Sequence, residues 1–214
     1  MCGFVGFFND HNLSIESFKK TINTLEHRGP DDSGNWADLD KKLFLGHRRL
    51  SVLDTSKSGS QPMQSSNKRY VIVYNGEIYN HLECRKKYSL TCSTQSDTET
   101  LIQLLVSNGV NSMNILDGMF AFAYLDKEKR KLYLVRDRAG KKPLYYYIKG
   151  KTLVFASELN ALQSITQDSI NDDHINYFLK RGFFVKQETP YKHTFECPAG
   201  TYIEFCIDTL EYKT

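Results

Sequence analysis

The chain has 214 residues, with 28 Lys+Arg against 25 Asp+Glu and 40% apolar side chains, enough to bury the core of one ordinary globular domain. That excludes a peptide hormone or a disordered tail, and a net charge of +3 creates no field that argues for nucleic acid or an anionic membrane as partner. The longest apolar runs, Val71–Tyr74 and Met119–Leu125, fall far short of the roughly 20 residues that span a bilayer, and no basic, then apolar leader follows Met1. The expectation is a cytoplasmic location with neither membrane nor nucleic acid involved. Five cysteines (Cys2, Cys84, Cys92, Cys197, Cys206) are an odd number without metal-ligand spacing, so no metal site and no disulfide framework is expected.

In chain order, Gly3–Phe8 is short, apolar and rich in Phe and Val, as in a buried strand. Ser14 to Glu26 puts Ile15, Phe18, Ile22 and Leu25 on one helical stripe, stopped by Gly29-Pro30. Gly29-Pro30-Asp31-Asp32 then reads either as a loop closing over a pocket or as a helix stop and turn. Leu43–Gly46 is a strand, Ser51–Ser66 an irregular surface excursion, and Arg69–Tyr74 another strand. Ser96-Asp97-Thr98-Glu99 has the form of a capping box ahead of a helix from about Asp97 to Asn108, closed by Gly109. Met119–Leu125, Leu132–Arg136, Leu144–Ile148 and Thr152–Phe155 are strands joined by polar hairpin loops at Asp126–Lys131 and Lys149–Lys151. Helices over Glu158–Ile165 and Asp172–Lys180 follow. Hairpins covered by amphipathic helices predict layered α+β architecture, two face-to-face antiparallel sheets with outer helices, in one domain.

Cys2 stands directly before Gly3 and a buried strand. Removal of Met1 gives Cys2 a thiol of reference pKa about 8.5 and, on the same residue, an α-amine of about 7.7–8.0. Nucleophile and base then come in one residue. Taken alone, Cys2 is better read as a small apolar residue opening a strand, and other positions must overturn that. Asn75-Gly76 is read either as a hairpin turn or as two donors, a side-chain amide and a bare backbone N–H, for an oxyanion. Arg48 and Arg49 suit a solvated face, or a planar clamp for a carboxylate. Asp97 suits a helix start. His27, His47 and the remaining histidines lack ligand-like pairing and are read as structural. Phe120, Phe122 and Tyr124, alternating with Ala121, Ala123 and Leu125, read as sheet packing.

Eight short segments fall in one order along the chain: Cys2-Gly3 with Val5-Gly6, His27–Asp31, Gly46–Ser51, Asn75–Asn80, Ser96–Glu99, Gly118–Ala123, Arg136–Gly140 and Ala156–Glu158. Together they resemble the glutaminase domain of the asparagine synthetase family, a class II glutamine amidotransferase of the N-terminal-nucleophile hydrolases. The resemblance implies a four-layer αββα sandwich over residues 1–214, with the family's synthetase domain absent from this chain. It implies that Cys2 attacks the side-chain amide of free glutamine, with a γ-glutamyl thioester intermediate. It makes Asn75 and Gly76 the oxyanion donors and Arg49 the α-carboxylate clamp, with Arg48 structural. Asp97 would hold the α-ammonium group, and Leu50, Val52, Asn75 and Glu77 would line the same pocket. No cofactor is expected in this domain; ATP and magnesium belong to the missing synthetase domain or to a separate synthetase subunit, the expected ammonia acceptor. A homodimer is left open. Lys141-Lys142 departs from the family, where an apolar residue usually follows Gly140, which touches local packing or a partner-facing surface rather than the pocket. Two other readings stand beside this one: a catalytically silent regulatory or interaction module, and another N-terminal-nucleophile amidase acting on acylated amines.

Overall fold

In the computed structural model, which describes residues 1–9, 14–40 and 42–214, twelve strands form two six-stranded antiparallel sheets packed face to face. One sheet has the order β10-β8-β9-β1-β3-β2 and is built from β1 (Gly3–Asn9), β2 (Asp32–Asp38), β3 (Leu43–Arg49), β8 (Tyr145–Lys149), β9 (Thr152–Ala156) and β10 (Thr194–Glu196). The other has the order β12-β11-β7-β6-β5-β4 and contains β4 (Met63–Gln64), β5 (Tyr70–Ile78), β6 (Gly118–Asp126), β7 (Lys131–Arg136), β11 (Tyr202–Cys206) and β12 (Tyr212–Lys213). The alternation of side chains along a strand divides each sheet between two cores. Phe4, Leu43, Leu45, Val73, Ala121, Ala123 and Phe155 meet between the sheets.

The opposite faces are covered by helices. Val5, Phe7 and Phe44 pack against Phe18 and Ile22 of α1 (Ile15–Asn23) and Ala161 and Leu162 of α4 (Leu159–Thr166). Ile72, Tyr74, Phe120 and Phe122 pack against Leu101, Ile102 and Leu105 of α3 (Asp97–Asn108), which α2 (His81–Lys87) adjoins. The expected αββα sandwich is what the chain forms. The alternation of Phe120, Phe122 and Tyr124 with Ala121, Ala123 and Leu125 sorts them between the outer and inner cores, as sheet packing requires. No helix among the described residues is long and apolar enough to cross a membrane.

The structure corrects several local expectations. Asn75-Gly76 is not a turn: β5 runs on through both, opposite Ala121 and Phe120 of β6. The polar segment Asp32–Asp38, which has no apolar alternation, is strand β2, held by pairing with β3 along its whole length. Neither it nor α2 has a sequence pattern strong enough to show. Ser96 caps α3 through the Thr98 N–H, but Glu99 does not complete a capping box. Its carboxylate instead takes the N–H and hydroxyl groups of Ser93 and Thr94 at 2.7–2.9 Å.

Candidate active site

One end of the sandwich gathers the start of β1, the end of β3, the second half of β5 and the N-terminus of α3. A cleft of about 360 Å³, counted to its open mouth, is lined there by Cys2, Arg49, Leu50, Val52, Gly76, Glu77 and Asp97 among others. The sequence-expected site residues, dispersed over nearly 100 positions, thus share one concavity, with Asn75 in the strand immediately behind it.

Cys2 is fixed by its neighbours. Arg28 donates from Nε to the Cys2 carbonyl at 2.9 Å while its Nη1 holds Glu158 at 2.8 Å. The next residue but one, Phe4, has both backbone groups taken by Ser157, at 3.1 and 2.9 Å. The Cys2 sulfur accepts from the Leu50 N–H at 3.4 Å and faces the Leu50 carbonyl at 3.5 Å. Burial pushes the thiol pKa up, against the Leu50 hydrogen bond and the nearby positive charges of the amino terminus and Arg49.

The corner formed by Asn75 and Gly76 follows from strand geometry. Tyr74 and Ile78 turn their N–H groups off the edge of β5, to Gln61 Oε1 at 2.6 Å and Asp97 Oδ2 at 3.0 Å. Gly76 lies two residues from each, so period-two alternation points its N–H the same way, into the cleft. A side chain at this position is forbidden by β6, since a Cβ would stand 2.4 Å from the Met119 carbonyl oxygen. Beside it Asn75 is 1% exposed, and its Nδ2 is buried without a hydrogen-bond partner. An orphaned buried amide costs about 1–3 kcal/mol. Two donors at one corner, one of them unsatisfied, suit a developing negative charge.

Arg49 is buried, with Nη1 donating to the Ser56 carbonyl at 2.7 Å and Nη2 to that of Asp54. Gly59 lies flat against the guanidinium, where a Cβ would come 2.2 Å from Nη2. Residues 51–66, expected to be irregular surface, instead hold a 3-10 turn at Lys57–Gly59 and strand β4, and they build a wall of the cleft, with Val52, 60% exposed, at its rim. Gly29–Asp32 does not cover the cleft. Asp31 accepts from the Ser51 N–H at 2.8 Å and Asp32 from the Ser60 hydroxyl at 2.6 Å, bracing that same wall from outside. Arg48 points to the other face of β3 and pairs with Glu26 at 2.7 Å, which fits its expected structural part.

Asp97 is buried at the first turn of α3, accepting from the Tyr74 hydroxyl at 2.7 Å. Burial, and then the Asp97 charge, push Tyr74 well above its usual range, so it stays a donor. Glu77 is raised by burial and by Asp97, and pulled back by Lys142. His47 is fully buried, which lowers its pKa to about 4, and its Nε2 meets the Tyr74 carbonyl at 2.9 Å. It is a neutral donor at pH 7 and no base for Cys2. His27 and His193 pair with Glu158 and Asp168, and His11 lies outside the described residues. Among the described residues no cluster of ligands fits a metal, and all five cysteines are free thiols.

Sequence reasoning passed over Arg28, Gln61, Tyr74 and Ser157 as site-building residues. Arg28 and Ser157 lie inside motifs quoted above; nothing local marks Gln61 or Tyr74.

Comparison with known proteins bears on the family and the fold. The model of the glutamine amidotransferase domain family matches residues 1–214. The chain is similar to a putative glutamine-hydrolyzing asparagine synthetase of Methanocaldococcus jannaschii, 34% identical over all of this chain and 45% of the relative. It is also 35% identical to asparagine synthetase 1 of Bacillus subtilis, covering all of this chain and 35% of that protein. The chain therefore spans less than half the length of these curated relatives. Among solved structures, the fold matches glutamine phosphoribosylpyrophosphate amidotransferase from B. subtilis with a TM-score of 0.70 at 21% identity, over 99% of this chain and 49% of that one.

Proposed function

The chain belongs to the glutamine amidotransferase domain family, and from that premise we propose that Cys2, freed of Met1, hydrolyses the side-chain amide of free glutamine. The observation that carries the reading is the orphaned Asn75 amide beside the inward N–H of Gly76, at the same cleft as the Cys2 sulfur. The α-amine of Cys2 takes the thiol proton, directly or through a water. The thiolate attacks the amide carbon, and the negative charge that forms on oxygen is met by Asn75 Nδ2 and Gly76 N–H. The same amine returns the proton to the departing ammonia, and water resolves the γ-glutamyl thioester to glutamate.

Arg49 and Asp97 hold the α-carboxylate and α-ammonium groups, so an amidated or acylated glutamine would leave a buried charge unpaired. This favours a free amino acid over acylated amines. Leu50, Val52 and Glu77 complete the pocket, which needs no cofactor.

The ammonia then passes to an asparagine-synthetase-like domain or subunit in the cytoplasm. Ammonia released to neutral water is protonated and ceases to be a nucleophile, which favours transfer at a docked, shielded interface. The greater length of the relatives supports such a partner. So does α5 (Asp172–Arg181), which has no buried residue and exposes Leu179 at 75% beside Tyr177 and Phe178. The test is glutamate release from glutamine by the N-terminally sequenced chain and its Cys2→Ala variant. The variant should fold normally and release none; turnover in that variant would refute the assignment.

A further inference from the structure

Lys142 is 6% exposed, and among the described residues its ammonium meets one side-chain partner, the Met1 sulfur at 3.3 Å. A buried ammonium whose side-chain hydrogen bond goes to a thioether is only partly compensated, here by the Glu77 carboxylate that its charge pulls down. The backbone around it is heavily constrained. The Asp137 carboxylate accepts the N–H groups of Ala139, Lys141 and Lys142, each at 3.0 Å, and that of Phe120 at 3.1 Å. Arg136 donates to the carbonyls of Lys142 at 2.9 Å, Gly140 at 2.7 Å and Cys197 at 2.7 Å. The Arg136–Gly140 motif, none of which lines the cleft, thus fixes the backbone of Lys142. Lys141, by contrast, is exposed, so the family departure at that position falls on the surface.

A methionine sulfur lies at most about 6 Å from the nitrogen of the following residue. The Lys142 ammonium, 3.3 Å from that sulfur, therefore stands within about 9 Å of the Cys2 nitrogen. We propose that Lys142 is a positioning residue for the nucleophile: once Met1 is removed, its ammonium faces the freed α-amine of Cys2 and favours the unprotonated, basic form. The inference rests on the reading of Cys2 as an N-terminal nucleophile. Other charges face the same end of the sandwich: Arg49 from β3, Glu77 from β5, Asp97 from α3, and Arg28 with Glu158 behind the Cys2 carbonyl. Glu77 and Asp97 favour the protonated amine, and Lys142 opposes them. A unit charge at this distance in a partly buried site is worth about one pK unit.

The experiment uses chain verified to begin at Cys2, in wild-type form and as Lys142→Met, Lys142→Gln and Lys142→Arg. Two pH profiles are read: glutamine hydrolysis, and alkylation of Cys2 by iodoacetamide followed by peptide mass mapping. Removing the cation raises the pKa of both the amine and the thiol. The acid limb of hydrolysis and the alkylation profile should therefore move up by about one pH unit in the Met or Gln variant, and return in the Arg variant. Profiles that coincide with wild type in the neutral variants, or that shift equally in the Arg variant, overturn the proposal. If wild-type chain hydrolyses no glutamine, the reading of function fails, while the alkylation profiles still decide the part of Lys142.

Discussion

Replacing Asn75 by Ala separates catalysis from stability. The side-chain amide is buried, and its Nδ2 has no hydrogen-bond partner. Deleting it relieves the penalty of an unsatisfied buried donor, about 1–3 kcal/mol. Against that, the side chain shrinks by roughly 25 Å³, which at the usual cavity coefficient costs about 0.6 kcal/mol. The net change in stability stays small, and the melting temperature should hold or rise by a few degrees, at about 2–4 °C per kcal/mol for a chain of this size. Glutamine turnover should nonetheless fall about 100- to 1000-fold, the usual cost of one lost oxyanion donor, equivalent to 2.7–4 kcal/mol of barrier. Steady-state release of glutamate, read beside a thermal melt of the same sample, measures both. Turnover within tenfold of wild type would refute the oxyanion assignment. A melt lowered by more than about 8 °C, or over 2 kcal/mol, would show instead that the amide is a structural bond.

Gly59→Ala should raise the KM for glutamine about tenfold with a smaller change in kcat, because the new Cβ displaces the Arg49 guanidinium without touching the nucleophile; an unchanged KM contradicts the clamp. Gly76→Ala meets backbone of β6 at 2.4 Å and should lose activity together with at least about 2 kcal/mol of stability, seen as an earlier denaturant midpoint. Acid sensitivity has a definite sign. Burial pushes the Asp126 carboxyl up, but hydrogen bonds from Arg69 at 2.8–2.9 Å and from the N–H groups of Lys129 and Glu128 at 3.1 Å outweigh it and hold its pKa low. A depressed folded pKa gives stability that is present above the unfolded value near 4 and lost as pH falls through the folded one. The melting temperature should therefore be flat from pH 7 to 5 with respect to this group and drop below about 4, less steeply in Asp126→Asn; equal slopes contradict the pairing.

The layers of the sandwich were legible in the sequence because its main strands and helices carry strong periodic patterns. Gly3–Phe8, Met119–Leu125 and the helix from Asp97 needed no tertiary information. β2 did, since Asp32–Asp38 is polar and exists as a strand through its register with β3. Asn75-Gly76 shows the limit of local chemistry: the pair has the composition of a turn, yet the pairing of Tyr70–Ile78 with β6 keeps it extended. The pocket residues came from ordered motifs. Their supports were not legible as such, even where Arg28 stands inside one of those motifs, because burial of Arg28 behind Cys2 or of Lys142 beside Met1 is a property of contacts across 26 and 141 positions.

The central claim is that the first sulfur acts through its own amine, and the most direct measurement compares two preparations differing only in the presence of Met1, each verified by mass. The account predicts glutamate release by the chain beginning at Cys2 and essentially none by the chain that retains Met1, whose amide nitrogen has no basic lone pair. Equal turnover by both would contradict it.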